Sequence, residues 1–194
     1  MSVLSSIKYS IKFFILFTIV LGIIYPLSIY IAGQVFFKNK ADGSLYFKNG
    51  VVKGSFLLGQ KFTSDKYFWP RPSSIDYNPY PSGASNLSQT SDTLLNQYEQ
   101  RKNNFIKGNM LPEKTHVPTE MLFASASGVD PDISIESAIL QTKRIIIARK
   151  FNKLQSVQLS NLINTLAEPL QFGILGHEVI NVLKLNIKLD EMSK

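Results

Sequence analysis

Asp130 and Asp132 bracket Pro131, and two carboxylates so close together offer a pair that could hold a cation. A structural reading competes with that one. An Asp ahead of a helix N-terminus complements the helix dipole, and Asp-Pro opens turns. The two histidines, His116 and His177, have no partner at a metal-ligand spacing such as His-x-x-x-His, so each reads as a surface or structural residue. The chain has no cysteine, which excludes disulfides, thiolate metal sites and cysteine nucleophiles. Neither G-x-x-x-x-G-K-S/T nor G-x-G-x-x-G occurs, so a self-contained nucleotide hydrolase is not expected. Two serine-rich strings, Ser82-Gly83-Ala84-Ser85-Asn86 and Ser125-Ala126-Ser127-Gly128, are able to present amides to an anion, although tight turns use the same residues. No catalytic residue and no metal ligand is assigned.

The elements that must position these residues begin with an anchor. Phe13 to Phe37 run for 25 residues without an Asp, Glu, Lys or Arg. At about 1.5 Å per residue, ~20 apolar residues cross a hydrocarbon core of ~30 Å, so the run is predicted to be a transmembrane helix. Pro26, after Tyr25, predicts a kink or local loosening, and Gln34 falls near the far interface. The run exceeds the roughly 7 to 15 apolar residues of a secretory signal. Its best cleavage site, before Gly33, would put the bulky Tyr30 at a specificity position, so an uncleaved anchor is expected. Lys8 and Lys12 precede the run and Lys38, Lys40, Lys48 and Lys53 follow it, so charge alone does not orient it, and long domains translocate largely regardless of charge. The expected organisation is a short tail at 1–12, the transmembrane helix at 13–37 and a soluble domain at 38–194.

With 194 residues, 44% of them hydrophobic, one packed core is expected. The net charge of +7 is scattered and accompanies no nucleic-acid motif, so it reads as facing the lipid bilayer surface or as a solvated basic face, rather than as binding nucleic acid. The soluble part reads as mixed α/β (α+β). Ser44 to Phe47 and Val51 to Ser55 flank Lys48-Asn49-Gly50 as a hairpin. Trp69 to Pro81 contains four prolines and is predicted to be an irregular loop, packed down by Tyr67, Phe68, Trp69, Tyr77 and Tyr80 or docking through them on a partner. Apolar spacing predicts a first helix over about Ser91 to Lys107. A second follows Ser134 as N-cap, with Ile135, Ala138, Ile139, Ile145 and Ile146 inward and Glu136, Lys143, Arg144 and Lys150 outward. A third carries Leu159, Leu162, Ile163 and Leu166. Met121 to Ala124 reads as a buried strand, and the alternation of Leu183, Leu185, Ile187 and Leu189 with polar residues as a C-terminal strand.

Taken as a set and in order, the short strings resemble the potassium-transporting ATPase C chain, the KdpC family. They are Tyr25-Pro26 in the membrane run, Gly54-Ser55 with Leu57-Leu58-Gly59-Gln60, and Tyr67-Phe68 with Arg71-Pro72-Ser73. Ser82-Gly83-Ala84-Ser85-Asn86-Leu87 and Ala124-Ser125-Ala126-Ser127-Gly128-Val129-Asp130-Pro131 follow. Ile133, Ser134, Gln141, Arg144, Ala148 and Arg149 come next, and Asn181-Val182-Leu183, Leu185-Asn186 and Asp190 close the series. Seven strings in order are far more specific than any one of them. Ala84 and Ala126 stand where the family has glycine, and Asp132 where it usually has histidine; Lys107 to Thr119 matches nothing in it.

The resemblance implies a non-catalytic accessory subunit of a high-affinity, ATP-driven potassium importer in the cell (inner) membrane, with its N-terminus cytoplasmic and its soluble domain extracytoplasmic. Its implied partners are a channel-like potassium-binding subunit, a P-type ATPase subunit and a small membrane peptide. The family is described as a catalytic chaperone that raises the ATP affinity of the ATPase subunit, which makes ATP the implied ligand, none being tightly bound. Ser125, Ser127, Gly128 and Gln141 are the family-implied nucleotide positions. ATP acts in the cytosol, out of reach of an external domain, which favours the assembly role. The alternative is a membrane-anchored extracytoplasmic ligand-binding module, and a free-standing envelope enzyme would need a nucleophile and base that the sequence does not supply.

Overall fold

The computed structural model describes residues 3–192, which fall into two compact units, one ending at Leu45 and the other starting at Tyr46. The first unit is dominated by a continuous apolar helical run, Val3–Phe36, long enough to cross a bilayer. It is built of α1 (Val3–Ile19), a widened π turn (Val20–Ile24) and α2 (Tyr25–Phe36), with Pro26 in the first turn of α2. None of its described side chains is buried, as expected of a helix that meets lipid or other subunits on all faces. The short α3 (Lys38–Ala41) follows, and Asp42 closes it by accepting from Lys38 at 3.0 Å and from Gln34 at 3.1 Å.

Strands β1 (Leu45–Lys48) and β2 (Val51–Ser55) pair as a hairpin. Asn49 and Gly50 have φ of 55° and 76°, the two positive angles that a two-residue turn matching the strand twist demands. After an irregular stretch come α4 (Asp92–Gly108), a 3-10 turn (Thr119–Met121), β3 (Asp132–Ser134), α5 (Ile135–Arg149), α6 (Lys153–Leu166), β4 (Val179–Asn181) and α7 (Val182–Met192). β3 and β4 are antiparallel, with Ile133 opposite Ile180. The core lies where α4, α5, α6 and α7 meet this small sheet, around Phe68, Ile133, Ile145, Leu159, Ile163, Ile180, Leu185 and Leu189. The architecture is α+β on a single apolar N-terminal helix.

Local chemistry explains the helix starts. Ser134 accepts from the Ser137 N–H at 3.1 Å at the N-cap of α5, and Asn152 with Gln155 forms a reciprocal capping box on α6. The Glu120 carboxylate reinforces the first cap, taking the Ser134 N–H at 2.7 Å and the Ser137 hydroxyl at 2.5 Å.

Five expectations are corrected. Met121 to Ala124 is not a strand, since Thr119–Met121 forms a 3-10 turn. The C-terminal alternation is helical: Val182, Leu185, Asn186 and Leu189 also stand at i, i+3, i+4 and i+7, and packing against the core selects that period, leaving only Val179–Asn181 as strand. Ile139 faces outward, whereas Arg144, expected outside, is 1% exposed. Of the loop aromatics Phe68 is fully buried and Tyr67, Trp69 and Tyr77 are half-buried, but Tyr80 is 89% exposed and packs nothing down.

Candidate functional site

Four of the short strings, those holding Gly59, Pro72, Gly83 and Asn181-Val182, meet at one segment, 124–132. The Ser125 N–H donates to the Pro72 carbonyl at 3.1 Å, the Gly83 N–H to the Ser127 carbonyl at 3.1 Å, and the Gly59 N–H to the Val129 carbonyl at 2.6 Å. The Ser74 hydroxyl donates to the Gly83 carbonyl at 2.9 Å, joining two of those strings to each other. From the C-terminal side, the Val182 N–H bonds the Pro131 carbonyl at 2.9 Å, while the Asn181 amide donates to Asp132 at 3.1 Å and to the Phe56 carbonyl at 2.8 Å. Backbone so closely interleaved leaves no room for a Cβ at two glycines. At Gly59 it would collide with the Val129–Asp130 backbone; at Gly128, where φ is +71°, it would meet Ile75 at 2.5 Å and the Gly83 carbonyl at 2.9 Å.

The two aspartates take structural roles at this seam. Asp130 pairs with Arg71 at 2.6 Å and caps the Asp132 N–H at 3.0 Å. Asp132 is pushed above the usual carboxylate range, chiefly by burial, against the lowering effect of its bond from Asn181 and with the charges of Asp130 and Glu168 adding to the rise. No group of three or more His, Asp or Glu side chains able to hold a metal occurs among the described residues, and His116 and His177 are both exposed.

A second cluster lies at Arg144. Its Nε donates to Asn109 at 2.9 Å, its Nη1 to the carbonyls of Ser64, Asp65 and Tyr67 at 3.3, 2.8 and 2.9 Å, and its Nη2 to Gln141 at 2.9 Å. Burial pushes this guanidinium down to about 10, with the Asp65 charge opposing the fall. Two carboxamides then hold the Phe68–Trp69 backbone as a neighbouring strand would. Asn186 takes the Phe68 N–H at 2.8 Å and returns a bond to its carbonyl at 3.0 Å; Gln141 does the same for Trp69 at 2.7 and 3.2 Å. These contacts bind and orient backbone; none aligns a nucleophile with a base.

The four residues singled out for nucleotide therefore divide. Ser125, Ser127 and Gly128 share one turn, with Ser125 and Gly128 buried, Ser127 exposed, and the Ser127 Oγ accepting from the Val129 N–H at 3.2 Å. Gln141 belongs to the Arg144 cluster, and both ends of its amide are engaged there. Sequence reasoning missed Arg144, Asn109, Asn186 and Glu120 as organising residues. One signal was available: Ala138, Gln141 and Ile145 fall at i, i+3 and i+7, which puts Gln141 on the core face of α5.

A family model described as K+-transporting ATPase, c chain, matches residues 7–191. The chain belongs to the KdpC family. The "Potassium-transporting ATPase KdpC subunit" of Leptospira interrogans serogroup Icterohaemorrhagiae serovar copenhageni (strain Fiocruz L1-130) is 40% identical over 187 residues, covering 96% of this chain and 94% of that protein. The KdpC subunit of Mycobacterium bovis (strain BCG / Pasteur 1173P2) is 40% identical over 180 residues, 92% of this chain and 94% of the relative. That of Geotalea uraniireducens (strain Rf4) is 37% identical over 199 residues, 98% and 100% of the two chains. As a KdpC chain with one apolar N-terminal helix, it is a single-pass membrane protein with an extracytoplasmic soluble domain. The seam at 124–132 is thus where four of the KdpC-like strings gather in space.

Proposed function

We propose that this chain is a non-catalytic accessory subunit of an ATP-driven potassium importer, with residues 13–37 as its span and 38–194 as its soluble part. In this reading it stabilises assembly of a channel-like potassium-binding subunit, a P-type ATPase subunit and a small membrane peptide, and raises the ATP affinity of the ATPase. The observation that carries the reading is the end-to-end match to the KdpC family, over residues 7–191. Both clusters bind and orient backbone, which suits a supporting role. Any nucleotide contact made by this chain falls to the exposed Ser127, with the buried Ser125 and Gly128 shaping its turn and Gln141 acting only in the separate Arg144 cluster. The test is reconstitution of the importer's other subunits with and without the full chain. The expected result is that omission lowers ATP-dependent potassium uptake and raises the KM for ATP; uptake with unchanged KM in its absence would refute the reading. A photoreactive ATP analogue that labels the assembled complex without labelling residues near Ser127 would remove the nucleotide contact alone.

A further inference from the structure

The carbonyl of Leu21 lies in the middle of an apolar helix without either of its helical donors. In the widened turn the Tyr25 N–H, its ordinary i+4 partner, bonds the Val20 carbonyl instead. The next donor along would come from residue 26, and Pro26 has no N–H. At the adjoining residue the helix surface is open, because a Cβ built on Gly22 meets nothing within 4 Å. The nearby hydroxyls are committed to their own turns, Thr18 donating to the Phe14 carbonyl at 2.8 Å and Ser28 to the Tyr25 carbonyl at 2.7 Å. All of this falls inside the charge-free run from Phe13 to Phe37, where hydrocarbon offers no donor and an unserved carbonyl is costly.

We propose that the Gly22 notch receives a transmembrane helix of another importer subunit, which presents a side-chain hydroxyl or carboxamide to the Leu21 carbonyl. This rests on the reading of the chain as an importer subunit. An aliphatic helix has no donor to give, and a lysine or arginine at this depth carries a large desolvation cost. A second copy of this chain fits poorly, since the same face would bring a carbonyl against a carbonyl while Thr18 and Ser28 are already engaged. The absent Cβ at Gly22 allows the close approach that such packing needs.

The test uses the tagged full chain, coexpressed with the importer's membrane subunits and recovered from solubilised membranes. Pro26→Ala supplies the missing N–H from within the helix, and Gly22→Leu fills the notch. Each is expected to lower recovery of the partner subunits by roughly three- to fifteenfold, the range of one interhelical hydrogen bond in a bilayer. The single tryptophan, Trp69, lies outside this helix, so unchanged emission certifies that the soluble domain is folded. Parental recovery by both variants would overturn the notch while leaving the subunit reading standing. A parent chain that recovers no membrane subunit would overturn both. Loss of pairing between two differently tagged copies, with partner recovery unchanged, would overturn the choice of partner.

Discussion

The Arg144 guanidinium lies over the Trp69 indole, 3.8 Å from the ring centroid, and the far edge of the same indole is packed so close to α4 that a Cβ at Gly108 would fall 2.6 Å from it. A cation on an aromatic face in a site withdrawn from water is a strong contact, and Arg144 joins it to five hydrogen bonds reaching the Ser64–Tyr67 backbone, Asn109 and Gln141. A chain segment without regular secondary structure is thereby tied to a helix.

Arg144→Leu is therefore expected to destabilise the soluble domain by about 3 kcal/mol, because it leaves the buried Asn109 oxygen and three part-buried carbonyls without this donor as well as removing the cation. Arg144→Lys keeps the charge but not the planar fork, and is expected to recover less than half of that loss. Urea unfolding of the full chain in detergent, followed by Trp69 emission, measures both. A lysine variant with parental stability would show that charge, not the fork, is what matters.

The seam makes a sharper contrast between two glycines. Gly59→Ala drives a methyl group into the Val129–Asp130 backbone, which cannot rotate away, and is expected to cost at least ~2 kcal/mol. Gly83→Ala, in a neighbouring string, meets nothing within 4 Å and is expected to stay within about 0.5 kcal/mol of the parent. Thermal unfolding of the two variants side by side checks the difference.

Much of this was legible in the residues, for identifiable reasons. The Asn49-Gly50 turn and the Ser134 cap are set by local chemistry, and each appears where the sequence put it, while most of the charge-free run lies within a longer helical run, Val3–Phe36. The C-terminal helix was not legible, because Leu183, Leu185, Ile187 and Leu189 satisfy a period of two while Val182, Leu185 and Leu189 satisfy the helical one, and only tertiary packing decides. Arg144 was hidden because its partners are mainly backbone carbonyls some 80 positions away, which leave no trace in side-chain pattern. The strings of the candidate site were recognisable as a set; their convergence on 124–132 rests on backbone hydrogen bonds that no residue type announces.

Asp132 gives a prediction with a definite sign. Its carboxyl is held above the ordinary range mainly by burial, so the native state keeps this proton to higher pH than the unfolded chain does. The favourable contribution is complete below the unfolded value of 3.8 and is lost as pH rises through the native one. Asp132→Asn keeps an acceptor for Asn181 and sheds the charge facing Asp130 and Glu168. A higher urea midpoint than the parent at pH 7.5, converging with it near pH 3, is the expected result; a variant less stable at both would show that the charge is needed.

At the alkaline end the informative group is Tyr77, whose hydroxyl donates to the Arg71 carbonyl at 2.7 Å. Burial, aided by the neighbouring Asp76 charge and opposed by Arg101, pushes this phenol up to about 12 from its ordinary 10. A raised acid binds its proton more tightly in the native state, so its contribution is complete below pH 10 and disappears as pH rises towards about 12. A difference of that size corresponds to roughly 3 kcal/mol across the window. Tyr77→Phe lacks both the proton and the bond, so it is expected to be about 1 kcal/mol less stable than the parent at neutral pH. Its stability should then fall less steeply above pH 10, because the unfolded variant has no phenol at this position whose ionisation would favour unfolding. Unfolding free energies of the two chains at matched pH values test this, the shared titration of every other group cancelling in the difference. Parallel curves through the window would mean that solvent reaches the Tyr77 hydroxyl, and that the Arg71 loop is looser than its hydrogen bond implies.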